Sequence, residues 1–340
     1  MAGLLSKLRS VFGSESPKPK PKAPIQSVDH RAEAKQPSTF SLLTAQYGFY
    51  STILGNIDDQ KPLSVPQKLV IDILEKSLSQ KSYRLKAVPR LPSIIPKLLQ
   101  RLRDPKSALV DYVKIINKDP AMSTSVLKLA NSVYFNPVAK RVSSIETAVV
   151  KLGTEGLRSV MSAAVMQPVI QRKSYYYSEF GHKLWTHSLH CAVACELIAK
   201  QRGIEPYKAY LLGLVHDIGK ITIFNELSSQ FEMNSSSEQP GYAAFAPMMQ
   251  STSEELSHTV AIDWELPEEL CVALKQQVDL KAGDKIDKLA HLLYQANFAC
   301  EIYAIAKVDE SQNDAALQAL EDMGLPLNLF EQLDKVSMDL

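Results

Sequence analysis

Tyr210-Leu-Leu-Gly-Leu-Val-His-Asp-Ile-Gly-Lys220 decides how the rest of this 340-residue chain is read. Tyr210, Leu211, Leu214, Val215 and Ile218 recur at three- and four-residue intervals, the period of a helix with its apolar face on a core. Two metal-capable side chains, His216 and Asp217, close the run, followed by a small residue and a cation. An imidazole and a carboxylate held at the edge of a core can grip a hard divalent ion or a phosphate oxygen. The same pair can also bond to each other and to nearby helix ends, so the dipeptide alone leaves both readings open.

Composition limits the alternatives. With 45% hydrophobic residues and only 13 glycines, the chain is globular and reads as helical, since alternating apolar runs are few. The net charge of +1 sets up no general attraction for nucleic acid or an anionic membrane. Eighteen consecutive apolar residues occur nowhere, so no helix is expected to cross a bilayer. Four cysteines (Cys191, Cys195, Cys271, Cys300) without a secretory signal point to a reducing, cytoplasmic setting.

Outward from the central run the chain divides readily. Residues 1–37 carry seven Lys/Arg against three Asp/Glu. Their first 13 residues form an amphipathic tip, and Pro17-Lys-Pro-Lys-Pro-Lys22 makes an extended linker. The segment reads as a disordered tail, with weak docking of residues 1–13 on a membrane surface as the functional alternative. Helices are expected at 39–56 and 66–80, an extension spanning 38–90. Asp104-Pro105 opens a further helix, and Asp119-Pro120 another, with Asp as N-cap and Pro at the first helical position. That helix ends at Asn131-Ser132, where an amide can tie loose carbonyls to the 133–142 loop; Asn131 is expected to be largely buried. Ser143-Ser-Ile-Glu146 has capping-box spacing, and Gly153 stops the helix it starts. Residues 143–167 have a helix-turn-helix outline, but the second helix offers only Arg158 and Gln167 for base contacts, so core packing is the expectation and DNA is not. Cys191 and Cys195 read as small buried residues rather than zinc ligands. Residues 225–257, polar and Ser-rich, read as an irregular connection. Helices at 267–277, 285–304, 314–323 and 328–338 complete the chain.

Gly213-Leu-Val-His-Asp-Ile-Gly-Lys220 resembles the doublet segment of the HD superfamily of metal-dependent phosphohydrolases. Leu91-Pro-Ser-Ile-Ile-Pro, Lys118-Asp-Pro-Ala-Met, Leu129-Ala-Asn-Ser, Ser144-Ile-Glu-Thr-Ala, Lys151-Leu-Gly and Trp185-Thr-His-Ser precede it in the order of the HDOD branch. The resemblance implies an all-α fold of two packed lobes, 91–170 and an HD-like 171–304, with additional helices at 305–340. It also implies metal ligands at His187, His216 and Asp217, with the distant aspartate position occupied by Asn297. Lys220, His258 and Lys275 become candidates to flank that site. Where cyclic-dinucleotide phosphodiesterases carry a His pair, this chain has Gln276-Gln277. An amide is a weaker ligand for a hard cation than a carboxylate. The resemblance therefore implies no required cofactor, at most one weakly bound divalent metal, and a non-catalytic regulatory module of bacterial signal transduction. Its partner is expected to be a signalling protein or a nucleotide second messenger. The alternative is an active metal-dependent phosphohydrolase acting on a nucleotide.

Overall fold

A computed structural model describes residues 40–55, 62–89, 109–117, 120–138, 140–170, 178–233, 241–278, 280–281 and 283–337. In chain order its helices are α1 (Leu42–Leu54), α2 (Val65–Leu78), α3 (Lys81–Ala87), α4 (Leu109–Ile116), α5 (Pro120–Ala130), α6 (Ile145–Ile170) and α7 (Ser178–Arg202). Then come α8 (Pro206–Val215), α9 (Ile218–Met233), α10 (Tyr242–Asp263), α11 (Glu268–Lys275), α12 (Lys288–Val308), a short 3-10 turn, α13 (Asn313–Asp322) and α14 (Leu329–Ser337). The described residues contain no strand, and no described helix is long and apolar enough to cross a membrane. The basic tip at 1–37, the Leu91–Leu102 stretch, Asp104-Pro105 and Asp119 lie outside the described residues.

Two glycines set the spacing at the centre. A Cβ on Gly213 would meet the backbone carbonyl of Cys191, so α8 approaches α7 at a distance only glycine allows. A Cβ on Gly219 would strike the carbonyl of Ser253 on α10, and the Gly219 N–H donates to Ser257 Oγ at 3.0 Å. The doublet between these glycines therefore sits in a turn clamped at both ends. α8 begins with Pro206 at its first position and Glu205 as cap, whose carboxylate accepts from the N–H groups of Tyr207 and Lys208. All of its residues from Ala209 to Val215 are buried, as the apolar spacing requires.

α12 runs beside α1, α7 and α8 and buries residues around most of its surface. α1 is started by a capping box between Ser41 and Thr44. In the first half of the chain, α5 and α4 pack on α6, and α6 continues onto α7 and α8. Residues 38–340 form one compact unit, so packing crosses the 170/171 boundary between the expected lobes.

Several local expectations need correction. The 225–257 segment is mostly helical, because its serines alternate with buried Leu227, Phe231, Tyr242, Phe245, Met248 and Met249 along α9 and α10. The cap of α6 is Ser144, whose Oγ accepts from the Thr147 N–H at 3.1 Å; Glu146 instead accepts from the side-chain amide of Asn117 at 3.3 Å. Gly153, at φ 64 and ψ −171, breaks α6 into two helical stretches. The second stretch buries Leu157 and Val160 through Met166, and Arg158 lies over the Tyr207 ring at 4.1 Å, which leaves no basic reading face for DNA.

Asn131 is half-buried rather than largely buried, yet it does tie the loop down. Its amide donates to the carbonyls of Leu127 (2.8 Å) and Val142 (2.7 Å), and its oxygen accepts from the Val142 N–H (2.7 Å). Buried Ser132 accepts from the Phe135 N–H, while α5 starts at Pro120. Asn131→Ala is expected to cost about 1–3 kcal/mol in urea unfolding, from backbone groups left unpaired. Gly219→Ala forces backbone apart instead, and about 3 kcal/mol or more should be lost in the same measurement.

Candidate functional site

Five segments converge on the doublet. One face of α7 supplies His187 and, one turn later, Cys191. The turn after α8 supplies His216 and Asp217, and α9 supplies Lys220. From α12 come Asn297 and Glu301, again one turn apart, while α1 contributes Phe49 and Tyr50. His187, His216, Asp217, Lys220 and Glu301 are all buried.

The distances are tight and mutually consistent. His187 Nε2 lies 3.1 Å from Asn297 Oδ1 and 3.3 Å from Asp217 Oδ2. His216 Nε2 lies 3.1 Å from Asn297 Oδ1 and 3.2 Å from Asp217 Oδ1. Lys220 Nζ donates to Asp217 at 2.8 Å and stands 5.5 Å from the centre of the Phe49 ring. Phe49 also packs on His187, with ring centres 4.3 Å apart. Asn297 Nδ2 donates to Glu301 Oε1 at 3.2 Å, which turns its carbonyl oxygen toward the two histidines.

His216 carries the chemical information. Its Nδ1 is 2.7 Å from the Gly213 carbonyl, which can only accept, so Nδ1 holds a proton. Nε2 then faces two oxygens, of Asn297 and Asp217, and a bare lone pair there would be repelled. A positive species at that nitrogen, a second proton or a metal ion, satisfies both oxygens. A ring that donates its far N–H to a backbone carbonyl is the usual second contact of a metal-bound histidine. Bonds of about 2.0–2.2 Å to one divalent ion place neighbouring ligand atoms about 3.0–3.5 Å apart. The observed 3.1–3.3 Å separations fit one ion held by His187, His216, Asp217 and Asn297.

The electrostatics keep the cluster charged. Burial works against ionisation at Asp217, but His216, Lys220 and His187 outweigh it and hold the carboxyl well below the usual range. Burial likewise opposes charge on His187, yet Cys191 and Asp217 raise it, to about 10. Glu301 is pushed up to about 7 by burial, against the pull of Lys220 and His187, and its second oxygen is buried without a hydrogen bond among the described residues. A cavity of about 50 Å³ lies at the cluster, lined by Tyr50, His216, Asp217, Lys220 and Asn297 among others. It adjoins a polar cleft of about 770 Å³ that shares Asn297 and Gln277 and adds Arg84 and Tyr294.

His187, His216, Asp217, Asn297 and Lys220 are thus brought together, whereas His258 and Lys275 are not. Neither of the latter lines the cavity; Lys275 reaches out to Glu255 at 3.6 Å and His258 is half-buried beside them. The two glutamines act as ties. Gln277 donates to the Ala273 and Ala290 carbonyls, and Gln276 Oε1 accepts from the Asp287 N–H at the start of α12. Sequence reading missed Glu301, Phe49 and Tyr50, while Cys191 and Cys195 are both buried as expected. Cys195 is simply buried, but the Cys191 sulfur lies 3.5 Å from His187 Nε2. The i, i+4 spacings 187/191 and 297/301 were the available signal.

The family model of the HDOD domain matches residues 88–280. An uncharacterized protein of Treponema pallidum (strain Nichols) is 26% identical over 191 residues, which cover 54% of this chain and 36% of that protein. The chain thus spans little more than a third of that relative's length. Two solved structures share the fold. One, described as a candidate metal-dependent phosphohydrolase of Shewanella amazonensis SB2B, aligns with TM-score 0.56 at 21% identity over 82% of this chain and 99% of that one. The other, an HDOD domain protein of unknown function from Geobacter sulfurreducens, aligns with TM-score 0.52 at 20% identity over 80% of this chain and 94% of that one.

Because Asn297 offers the histidine pair a neutral oxygen, Asn297→Asp should tighten Mn²⁺ binding by about tenfold or more. Calorimetric titration of chelator-stripped protein reads this directly.

Proposed function

The chain belongs to the HDOD domain family, and from that premise we propose that it is a non-catalytic regulatory module, acting in bacterial signal transduction by binding a signalling protein or a nucleotide. The observation that carries this reading is the donor set. Hydrolysis of a phosphodiester by an HD-type site needs negative charge enough to hold metal and lower the pKa of a bound water toward neutrality. Asp217 is the only carboxylate touching both histidines among the described residues, and Lys220 already neutralises it at 2.8 Å. Asn297 and Gln277 then bring amides where carboxylate or imidazole would be wanted.

When bound, a divalent ion held by His187, His216, Asp217 and Asn297 would supply Lewis acidity. What the chain's own groups do is fix each other. Gly213 orients His216, Glu301 orients Asn297, and Phe49 covers His187. Such mutual fixing suits a site whose state is sensed by its surroundings. The adjoining 770 Å³ cleft, with Arg84, Tyr294, Gln277 and Asn297 on its walls, is the candidate contact surface for a nucleotide or a partner segment.

The competing phosphohydrolase reading draws on the same convergence of His187, His216 and Asp217. A panel of cyclic and linear nucleotide phosphodiesters with Mn²⁺, Mg²⁺ or Fe²⁺ separates the two. No turnover is expected with any ion. Metal-dependent hydrolysis that His216→Ala abolishes would replace the regulatory reading with the enzymatic one.

A further inference from the structure

Cys191 is a donor that the HD pattern does not use. It projects from α7 one turn after His187, and its sulfur stands 3.5 Å from His187 Nε2 and 3.8 Å from Asn297 Oδ1. The ligand atoms of His187, Cys191 and His216 all lie within 4.8 Å of one another, and all three residues are buried. We propose that this cluster is a thiophilic metal site of the zinc class, ligated by the Cys191 sulfur and the Nε2 atoms of His187 and His216, with Asn297 Oδ1, 3.1 Å from both nitrogens and 3.8 Å from the sulfur, as fourth donor.

The geometry suits that ion. Zinc bonds of about 2.3 Å to sulfur and about 2.0–2.1 Å to nitrogen, at a tetrahedral angle, put S and N about 3.5 Å apart. That is the separation found between Cys191 and His187. The donor chemistry agrees. Replacing a hard carboxylate by Asn297 weakens the site for Mn²⁺ or Mg²⁺, while a thiolate selects zinc-like ions. The Cys191 thiolate offsets one charge of a divalent ion, the thiol proton passing to solvent as the metal enters, while the neighbouring Asp217 carboxylate is shared with Lys220. His216 is already held by the Gly213 carbonyl on its far side, as a metal-bound ring requires.

Four protein donors would close a tetrahedral shell and leave no position for a water nucleophile, which is the arrangement of structural rather than catalytic zinc. The inference therefore goes beyond the regulatory reading, which stands whether or not zinc binds.

The test uses the full chain stripped of metal by chelator. Zinc and manganese affinities are measured by competition with a chromophoric chelator, and the cobalt-substituted protein is examined by absorption. Nitrogen ligands alone prefer zinc over manganese, so the deciding comparison is between variants. Cys191→Ser is expected to weaken zinc by about 100-fold and manganese by about threefold or less, and Cys195→Ser to leave both unchanged. Parent protein with Co²⁺ should show a thiolate-to-metal charge-transfer band in the near ultraviolet, lost in Cys191→Ser. If Cys191→Ser fails to fold, the parent's cobalt spectrum decides alone. A parent spectrum without that band, or undiminished zinc binding by folded Cys191→Ser, overturns the proposal. Loss of the band in Cys195→Ser would overturn it too.

Discussion

A carboxylate is buried at the centre of this molecule, and the surrounding architecture answers to it. Asp217 lies beneath the surface with both oxygens engaged, by Lys220 from α9 and by the two histidines from α7 and the α8–α9 turn. A buried charge without such partners would cost several kcal/mol. Placing Asp217 therefore fixes the relative positions of three segments. The close glycine contacts at Gly213 and Gly219 make that placement possible, since any side chain there would push α7 or α10 away. Packing and electrostatics thus depend on the same few residues.

The network extends unevenly. Toward α12 it ends in amides and in Glu301, a carboxyl that burial has moved into the neutral range. Toward α1 it ends in aromatic rings, with Phe49 on His187 and both Phe49 and Tyr50 facing the Lys220 ammonium. That helix lies before the residues matched by the HDOD family model, yet it walls the site.

The shared fold and the donor set bear on different questions. A scaffold similar to a candidate phosphohydrolase has room for one ion where His187, His216 and Asp217 meet. Chemistry at a phosphate needs more: charge to spare, an exposed coordination position, and space for the substrate. Here Lys220 offsets the charge of Asp217, and the cavity of about 50 Å³ at the cluster adjoins a polar cleft of about 770 Å³. A sulfur donor from Cys191, as proposed above, would favour holding an ion over using one.

The sequence by itself determined the all-α class, the ends of most helices and the order of the motif segments, because apolar period and caps are local properties. It also singled out His216 and Asp217 as a metal-capable pair, and His187 through resemblance to a family. Tertiary structure decided the rest. The helical character of 225–257 was hidden because serines interrupt the apolar period there, although Ser228, Ser253 and Ser257 are buried beside Leu227, Phe231 and Phe245. His258 and Lys275 looked close to the doublet by pattern, yet their helix faces turn them toward Glu255. Cys191, Glu301 and Phe49 join the site from helices far apart in sequence, and spacing within one helix cannot say which other helix its face will meet. That meeting is set by long-range packing, which here is fixed by two glycines and one buried charge.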